Sequence, residues 1–171
     1  MPGMIFNRLA KRLGIKLKRQ KFSNPKKAQE ALDENLRNNI PTGLVVGVYN
    51  LPYFPDEYRF HFNAHNLIVY GKDNDRYLVS DPVLDYKVSL TAAELEKVRY
   101  AKGALAPKGH MYHPIYIPEK FDLKPAITKA IKKTCSDMLA PVPIVGVRGM
   151  RMVARVIIKW HNKLGEVNEH H

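Results

Sequence analysis

Two side chains in the middle of the sequence could share a proton. His65 and Asp81 stand sixteen positions apart, and the segment between them reads NLIVY, GKDND, then YLV. Runs of Val, Ile, Leu and Tyr bounded by Gly, Asn and Asp are the signal for two antiparallel strands about a tight turn. Folding such strands about Asn74 brings residues at their outer ends back to one edge of a sheet. An imidazole beside a carboxylate is a general base with an orienting acid, two of the three parts of a nucleophilic triad. His65 and Asp81 are therefore the candidate catalytic residues.

The flanking sequence has to supply the sheet that positions this pair. Residues 1–13 read as a short helix with Ile5, Leu9 and Leu13 on one face and Arg8, Lys11 and Arg12 opposite, stopped by Gly14. Ile15 and Leu17 alternate with Lys16 and Lys18, the pattern of a strand with one wet face over 15–22. Asn24-Pro25 is a helix start, and the helix runs to 38 with Ala28, Ala31, Leu32 and Leu36 inward. Residues 43–49, GLVVGVY, are apolar throughout and predict a central strand. Prolines at 52 and 55 exclude regular structure from NLPYFPDEY, an aromatic loop that either walls a pocket or caps a core. Leu51, Tyr53, Phe54 and the nearby Asn63 are the candidate substrate-binding residues.

Beyond Asp81-Pro82, the expected elements are a strand at 85–90, a helix opened by the Thr91 and Glu94 capping box, and a strand at 110–117. Two helices follow, at 124–139 and 144–164, separated by the rigid APVP of 140–143. The organisation expected is an α+β domain over 1–120 and a helical extension over 121–171. On the last helix Val145, Met152, Val153, Val156, Ile157, Trp160 and Leu164 form one stripe, and Arg148, Arg151, Arg155 and Lys159 another. That pattern suits a docked helix with a solvated basic side better than an interfacial membrane helix.

Composition narrows the class. The 171 residues are 45% hydrophobic, enough for one core, and the formal charge of +12 is concentrated at the two ends. The single cysteine excludes a disulfide framework. No apolar run approaches the roughly 20 residues of a spanning helix. The charged opening segment has no apolar centre like that of a signal peptide, so a cytoplasmic protein is expected. The terminal His170-His171 pair is set aside as a purification remnant.

Competing chemistries are weaker. His61 with His65, and His110 with His113, have ligand-like spacing, but no acidic residue stands between them in zinc-helix fashion. No metal and no cofactor are expected. Gly146-Val-Arg-Gly149 lacks the lysine and hydroxyl residue of a phosphate loop. The aromatics are not interleaved with the basic ends, which disfavours nucleic acid as a partner. A non-catalytic basic module binding nucleic acid or an anionic surface remains the alternative to an enzyme.

The succession LPYF, HFNAHNLIVYG, YLVSDP and SLTAAELEKVR resembles the N-terminal domain of the butirosin biosynthesis protein H family. That family is in turn similar to the papain-like peptidases that trim double-glycine leader peptides. The resemblance implies a papain-like α+β antiparallel sheet, with Ala64-His65 opening the histidine strand and Asp81-Pro82 carrying the acid. It implies a thiol-dependent acyltransferase or peptidase acting on a carrier-protein thioester or a peptide. A homo-oligomer is a further possibility, because an uncovered apolar face would drive association. Proteins of this kind carry their nucleophilic cysteine at the start of a helix, upstream of every motif quoted. Here the only thiol is Cys135, after the histidine and late in a helix, and is expected to be structural and buried. The chain is therefore expected to be the C-terminal part of such a protein or a degraded member, inactive by itself.

Overall fold

A computed structural model of the chain describes residues 3–165. The first helix, α1 (Gly3–Leu13), ends where Gly14 takes a left-handed φ of +69°. Strand β1 (Lys16–Gln20) leads to α2 (Pro25–Arg37), whose first turn is closed by Asn24 accepting from the Lys27 amide at 3.2 Å. Strands β2 (Thr42–Val46), β3 (His65–Asp73), β4 (Arg76–Ser80) and β5 (Val88–Thr91) follow. Helix α3 (Ala92–Arg99) opens with the capping box expected of Thr91 and Glu94, both bonds being formed. Strand β6 (Met111–Tyr116) closes the sheet. The six strands pair in the order β1-β6-β2-β3-β4-β5, antiparallel throughout. The α+β architecture expected from the sequence is present.

The strands are shorter than their sequence signals. Gly47 ends β2 because its amide turns to the Val98 carbonyl and the Val48 amide to Phe62, so 47–49 leave the ladder. Residues 59–64, whose Phe60 and Phe62 suggest a strand, are irregular, and 85–87 lie outside β5.

One face of the sheet carries the core. Leu44, Val46, Leu67, Val69, Tyr77, Val79, Leu90 and Met111 are buried there, joined by Leu32 from α2 and Leu95 and Val98 from α3. Each such aliphatic side chain contributes about 1.5–3 kcal/mol by leaving water. Polar ties help to hold the helices on. Tyr77 donates to Asp33 of α2 at 2.7 Å, and the buried Arg99 at the end of α3 donates to the Ala28 carbonyl at 3.2 Å.

An irregularity in the β3–β4 hairpin decides which side chains share that face. Asp73 pairs with Arg76, Lys72 with Tyr77 and Gly71 with Leu78, but Val69 then pairs with Val79 and Ile68 with Ser80. Tyr70 is thus an extra residue on β3. Opposed residues of an antiparallel pair lie on the same face, and a slip of one residue exchanges the faces. A regular hairpin would set Asp81 opposite Ile68, on the wet face. The bulge sets Asp81 in line with Leu67, on the face shared by His65.

The chain divides into two compact units, one ending at Glu119 and the other starting at Lys120. The second consists of α4 (Leu123–Met138) and α5 (Gly146–Gly165), which meet where the chain turns between them, Gly146 lying against the Met138 backbone. Cys135 is exposed, which corrects the expectation of a buried thiol. It follows the buried Ala126 by nine residues, which at 3.6 residues per turn is half a revolution round α4. Met152, Val153, Ile157 and Trp160 of the α5 stripe also stay exposed beside α4. Leu164 in that stripe, Ile5 in α1 and the His170-His171 pair lie outside the described side chains.

Gly43 gives a test of the sheet's packing. A Cβ at this position would lie 2.3 Å from the ring of Tyr112, its partner across β6. Gly43→Ala should therefore destabilise the protein by about 1–3 kcal/mol through overpacking, read as a lower urea midpoint at unchanged slope.

Candidate functional site

His65 is the first residue of β3, and Asp81 follows directly on β4. His65 Nε2 lies 2.7 Å from Asp81 Oδ2. The carboxylate is fully buried, with 0% of its side chain exposed against 12% for the imidazole. Two further donors complete its shell: the Tyr53 hydroxyl reaches Oδ2 at 2.8 Å and the Val83 amide reaches Oδ1 at 3.1 Å. The Val83 bond is the Asx turn that an aspartate before proline readily makes. Burial pushes the Asp81 carboxyl up, but the bonds from His65, Tyr53 and Val83 outweigh it and hold the group below its ordinary value. Burial first, and then the Asp81 bond, push the Tyr53 phenol far up, so it stays protonated and donating.

Bonding to a carboxylate through Nε2 fixes the proton of a neutral imidazole on that nitrogen. The lone pair then resides on Nδ1, which makes no hydrogen bond among the described residues. Nδ1 of His65 can therefore accept a proton while the buried Asp81 carboxylate stays ionised on the other side of the ring.

The loop between β2 and β3 builds the surroundings. Leu51 is 0% exposed, and its carbonyl accepts from the Phe54 amide at 3.3 Å. Arg59 holds the loop's carbonyls together, donating to Phe54 at 2.8 Å and Pro52 at 3.1 Å. Phe54 meets the His65 ring edge-on at 5.9 Å between centroids. The result is a cavity of about 570 Å³ lined by Tyr53, Phe54, Tyr58, Phe60, Phe62, His65, Val83, Leu84 and Tyr86, among others. Apart from His65 and the tyrosine hydroxyls, these side chains are apolar, so the cavity wall is hydrophobic and largely aromatic.

The structure thus brings together His65, Asp81, Tyr53 and Phe54. Tyr53 has a second part beyond shaping the pocket, since it solvates the acid. Leu51 does not line the cavity; it is a core residue that anchors the loop. Asn63 is not in it either, because its amide donates to the carbonyls of Lys102 and Ala104 and lines a different cavity. Val83, Leu84 and Tyr86 were not anticipated, although an apolar run just after the Asp-Pro turn was their signal. Neither histidine pair assembles a ligand set. His61 stacks on Tyr49 at 4.1 Å, and His113 Nδ1 is 3.0 Å from the Asn35 amide. No cluster of three metal-ligating side chains occurs among the described residues.

The depressed Asp81 carboxyl makes a signed prediction about stability. A group whose folded pKa lies below its unfolded value, about 3.9, stabilises fully above that value and stops doing so as pH falls through the folded pKa. Asp81→Asn should cost about 1–3 kcal/mol at pH 7. The gap between wild type and variant should stay level down to about pH 5 and shrink below about pH 4, measured by denaturant unfolding across pH. Tyr53→Phe should move that shrinkage to higher pH, because one donor to the carboxylate is lost.

Comparison with known proteins divides the chain differently from its compact units. Residues 93–171 match a family model described as a domain of unknown function, DUF4872. A crystal structure described as a C39-like peptidase from Bacillus anthracis aligns at 16% identity and a TM-score of 0.43. The alignment covers 64% of this chain and 56% of that one, so the chain spans little more than half the length of that protein. No curated protein matches the sequence. No described helix is long and apolar enough to cross a membrane. Residues 1–82 match the family model described as butirosin biosynthesis protein H, N-terminal. The segment that carries both His65 and Asp81 belongs to the butirosin biosynthesis protein H N-terminal family.

Proposed function

We propose that His65 and Asp81 are the base and orienting acid of a thiol-dependent acyl-transfer or amide-hydrolysis site on a papain-like scaffold. The observation that carries this reading is the buried 2.7 Å contact between His65 Nε2 and Asp81, with the carboxylate held by two more donors. Such a base takes the proton of a thiol at Nδ1, and the resulting imidazolium is stabilised by a charge that cannot be screened by water. The aromatic cavity beside His65 would receive the acyl group of a carrier-protein thioester or the side chain of a peptide. Residues 1–120 would form the catalytic domain and 121–171 a helical extension.

The nucleophile in this reading is a cysteine that is not among these 171 residues. Cys135 is the chain's only thiol, and it sits exposed on α4. A reactive cysteine needs a neighbouring cation or a helix start to form its thiolate. Cys135 lies in the last turn of its helix and not at a helix start.

The test measures thioester and peptide turnover, and labelling by a thiol-directed probe, in this chain and in a form extended upstream by a cysteine-bearing helix. Turnover should appear only in the extended form. It should fall about 10²–10⁴-fold in His65→Ala, as expected when a general base is removed. Asp81→Asn should also lower kcat while leaving KM near its original value. His65-dependent turnover through Cys135 in the short chain would show the nucleophile to be misassigned.

A further inference from the structure

A second cavity, of about 410 Å³, opens on the face of the sheet opposite His65. The faces follow from register: Val46 pairs with His65 on the core face, and Val45 pairs with Asn66 on the other. Val45 and Asn66 line this second cavity, and the Tyr112 ring lies over the bare backbone of Gly43 beside them. Tyr112 donates to Asn66 at 3.2 Å, which fixes the ring. We propose that this cavity binds a small organic phosphate, with the phosphate among Arg19, Lys21 and Lys108 and the organic part on the aromatic wall.

Charge is the first ground. Arg19, Lys21, Lys108 and His110 line the cavity, and no acidic side chain does. Arg19 is directly opposite Tyr112 in the β1–β6 ladder, so strand pairing sets its backbone position and its face of the sheet. None of the three permanent cations has an acidic partner among the described residues. The His110 imidazole registers their convergence: burial first, and then the charges of Lys21 and Arg19, hold it below its ordinary value.

An unmet donor is the second ground. Arg19 Nε is buried without a hydrogen-bond partner. Buried polar groups in folded proteins are nearly always paired, and an orphan of this kind calls for an acceptor from outside the protein. A guanidinium is the side chain suited to planar bidentate recognition of a phosphate or carboxylate. Three cations around one space favour the dianionic phosphate over the monoanionic carboxylate.

Size and wall chemistry select an organic phosphate over a bare ion. The volume lies within the range of small-molecule sites and exceeds what one phosphate fills. Phe6 and Tyr112 meet edge-on at 4.9 Å, and His110 lies 6.2 Å from Tyr112, giving a wall on which a ring can pack. The far wall is the 102–109 loop, pinned by the two bonds of Asn63 to Lys102 and Ala104. Leu105 and Lys108 hold left-handed φ values of +56° and +53° in that loop, a conformation that ordinary residues rarely adopt.

The test uses phenyl phosphate and inorganic phosphate, each against sodium chloride at matched ionic strength, because a chain this basic is stabilised by any added anion. Phenyl phosphate should raise Tm by about 5–10 °C when present at a hundredfold excess over its Kd, and more than inorganic phosphate does. The ring resonances of His110 and Tyr112 should shift on binding while those of His61 and His65 stay put. Arg19→Met and Lys108→Gln should each weaken binding at least tenfold, and Lys97→Met, the same loss of charge outside the cavity, should not. A response no greater than that to chloride overturns the proposal, as does equal affinity for the two phosphates. Shifts at His65 in place of His110 overturn it as well, and that readout stands even if a variant fails to fold.

Discussion

A carboxylate without solvent has to be solvated by the protein, and at Asp81 this requirement organises the structure around it. An unpaired ionised group in such a place would cost far more than the protein's whole stability margin. Three donors meet the need, and each comes from a different part of the local fold. His65 arrives because β3 carries an extra residue at Tyr70, so that its start faces the same side as the end of β4. Tyr53 arrives because the loop after β2 is folded back by Leu51 in the core and by Arg59 across its carbonyls. Val83 arrives because the chain turns at Asp81-Pro82. Removing any of these leaves a buried charge short of a partner, which is why a loop of irregular backbone can be held as firmly as the sheet.

The two family matches do not correspond to two folded bodies. β6 comes from the stretch that matches DUF4872, yet it pairs between β1 and β2, which come from the other match. α3 belongs to the second match as well, and its Leu95 and Val98 complete the core over β2, β3 and β4. Neither matched segment can satisfy its own backbone and apolar surface alone, since β1 would lose its only partner strand without β6. The physical boundary falls later, at Glu119, after the last strand. The sheet that holds His65 and Asp81 takes strands from both matches, and β5 from the stretch between them.

What could be read in the sequence was local. Asn24, Gly14 and the Thr91 to Glu94 spacing announced helix ends, because capping chemistry acts within one turn. The hairpin was legible from Val, Ile and Leu about Asn74, and with it the meeting of His65 and Asp81. The bulge was hard to read: Gly71 inside a strand can mark one, but beside Lys72 and Asp73 it also reads as the start of the turn, and a strictly regular register would have put the acid on the wrong face. Leu51 and Asn63 were misjudged because a loop residue's burial is decided by elements distant in sequence. Leu51 needed the core cluster, and Asn63 needed the carbonyls of Lys102 and Ala104, some forty residues on. The buried Arg99 and the insertion of β6 between β1 and β2 are non-local in the same sense.

The period of two along β3 also separates two electrostatic environments. His65 and Asn66 are adjacent in the chain and belong to opposite faces, so they line different cavities. On one face His65 meets the buried Asp81 carboxylate. On the other, burial and then the charges of Lys21 and Arg19 disfavour the charged form of His110. Cations placed beside His65 would compete with it for the Asp81 carboxylate, and an acid placed beside Arg19 would fill the orphaned donor. One sheet can hold both settings because its strands and side-chain core keep them apart, and because alternation along a strand needs only a single residue to change sides. The basic character of the chain is therefore compatible with a base at His65, provided the charge lies on the face where the dyad does not.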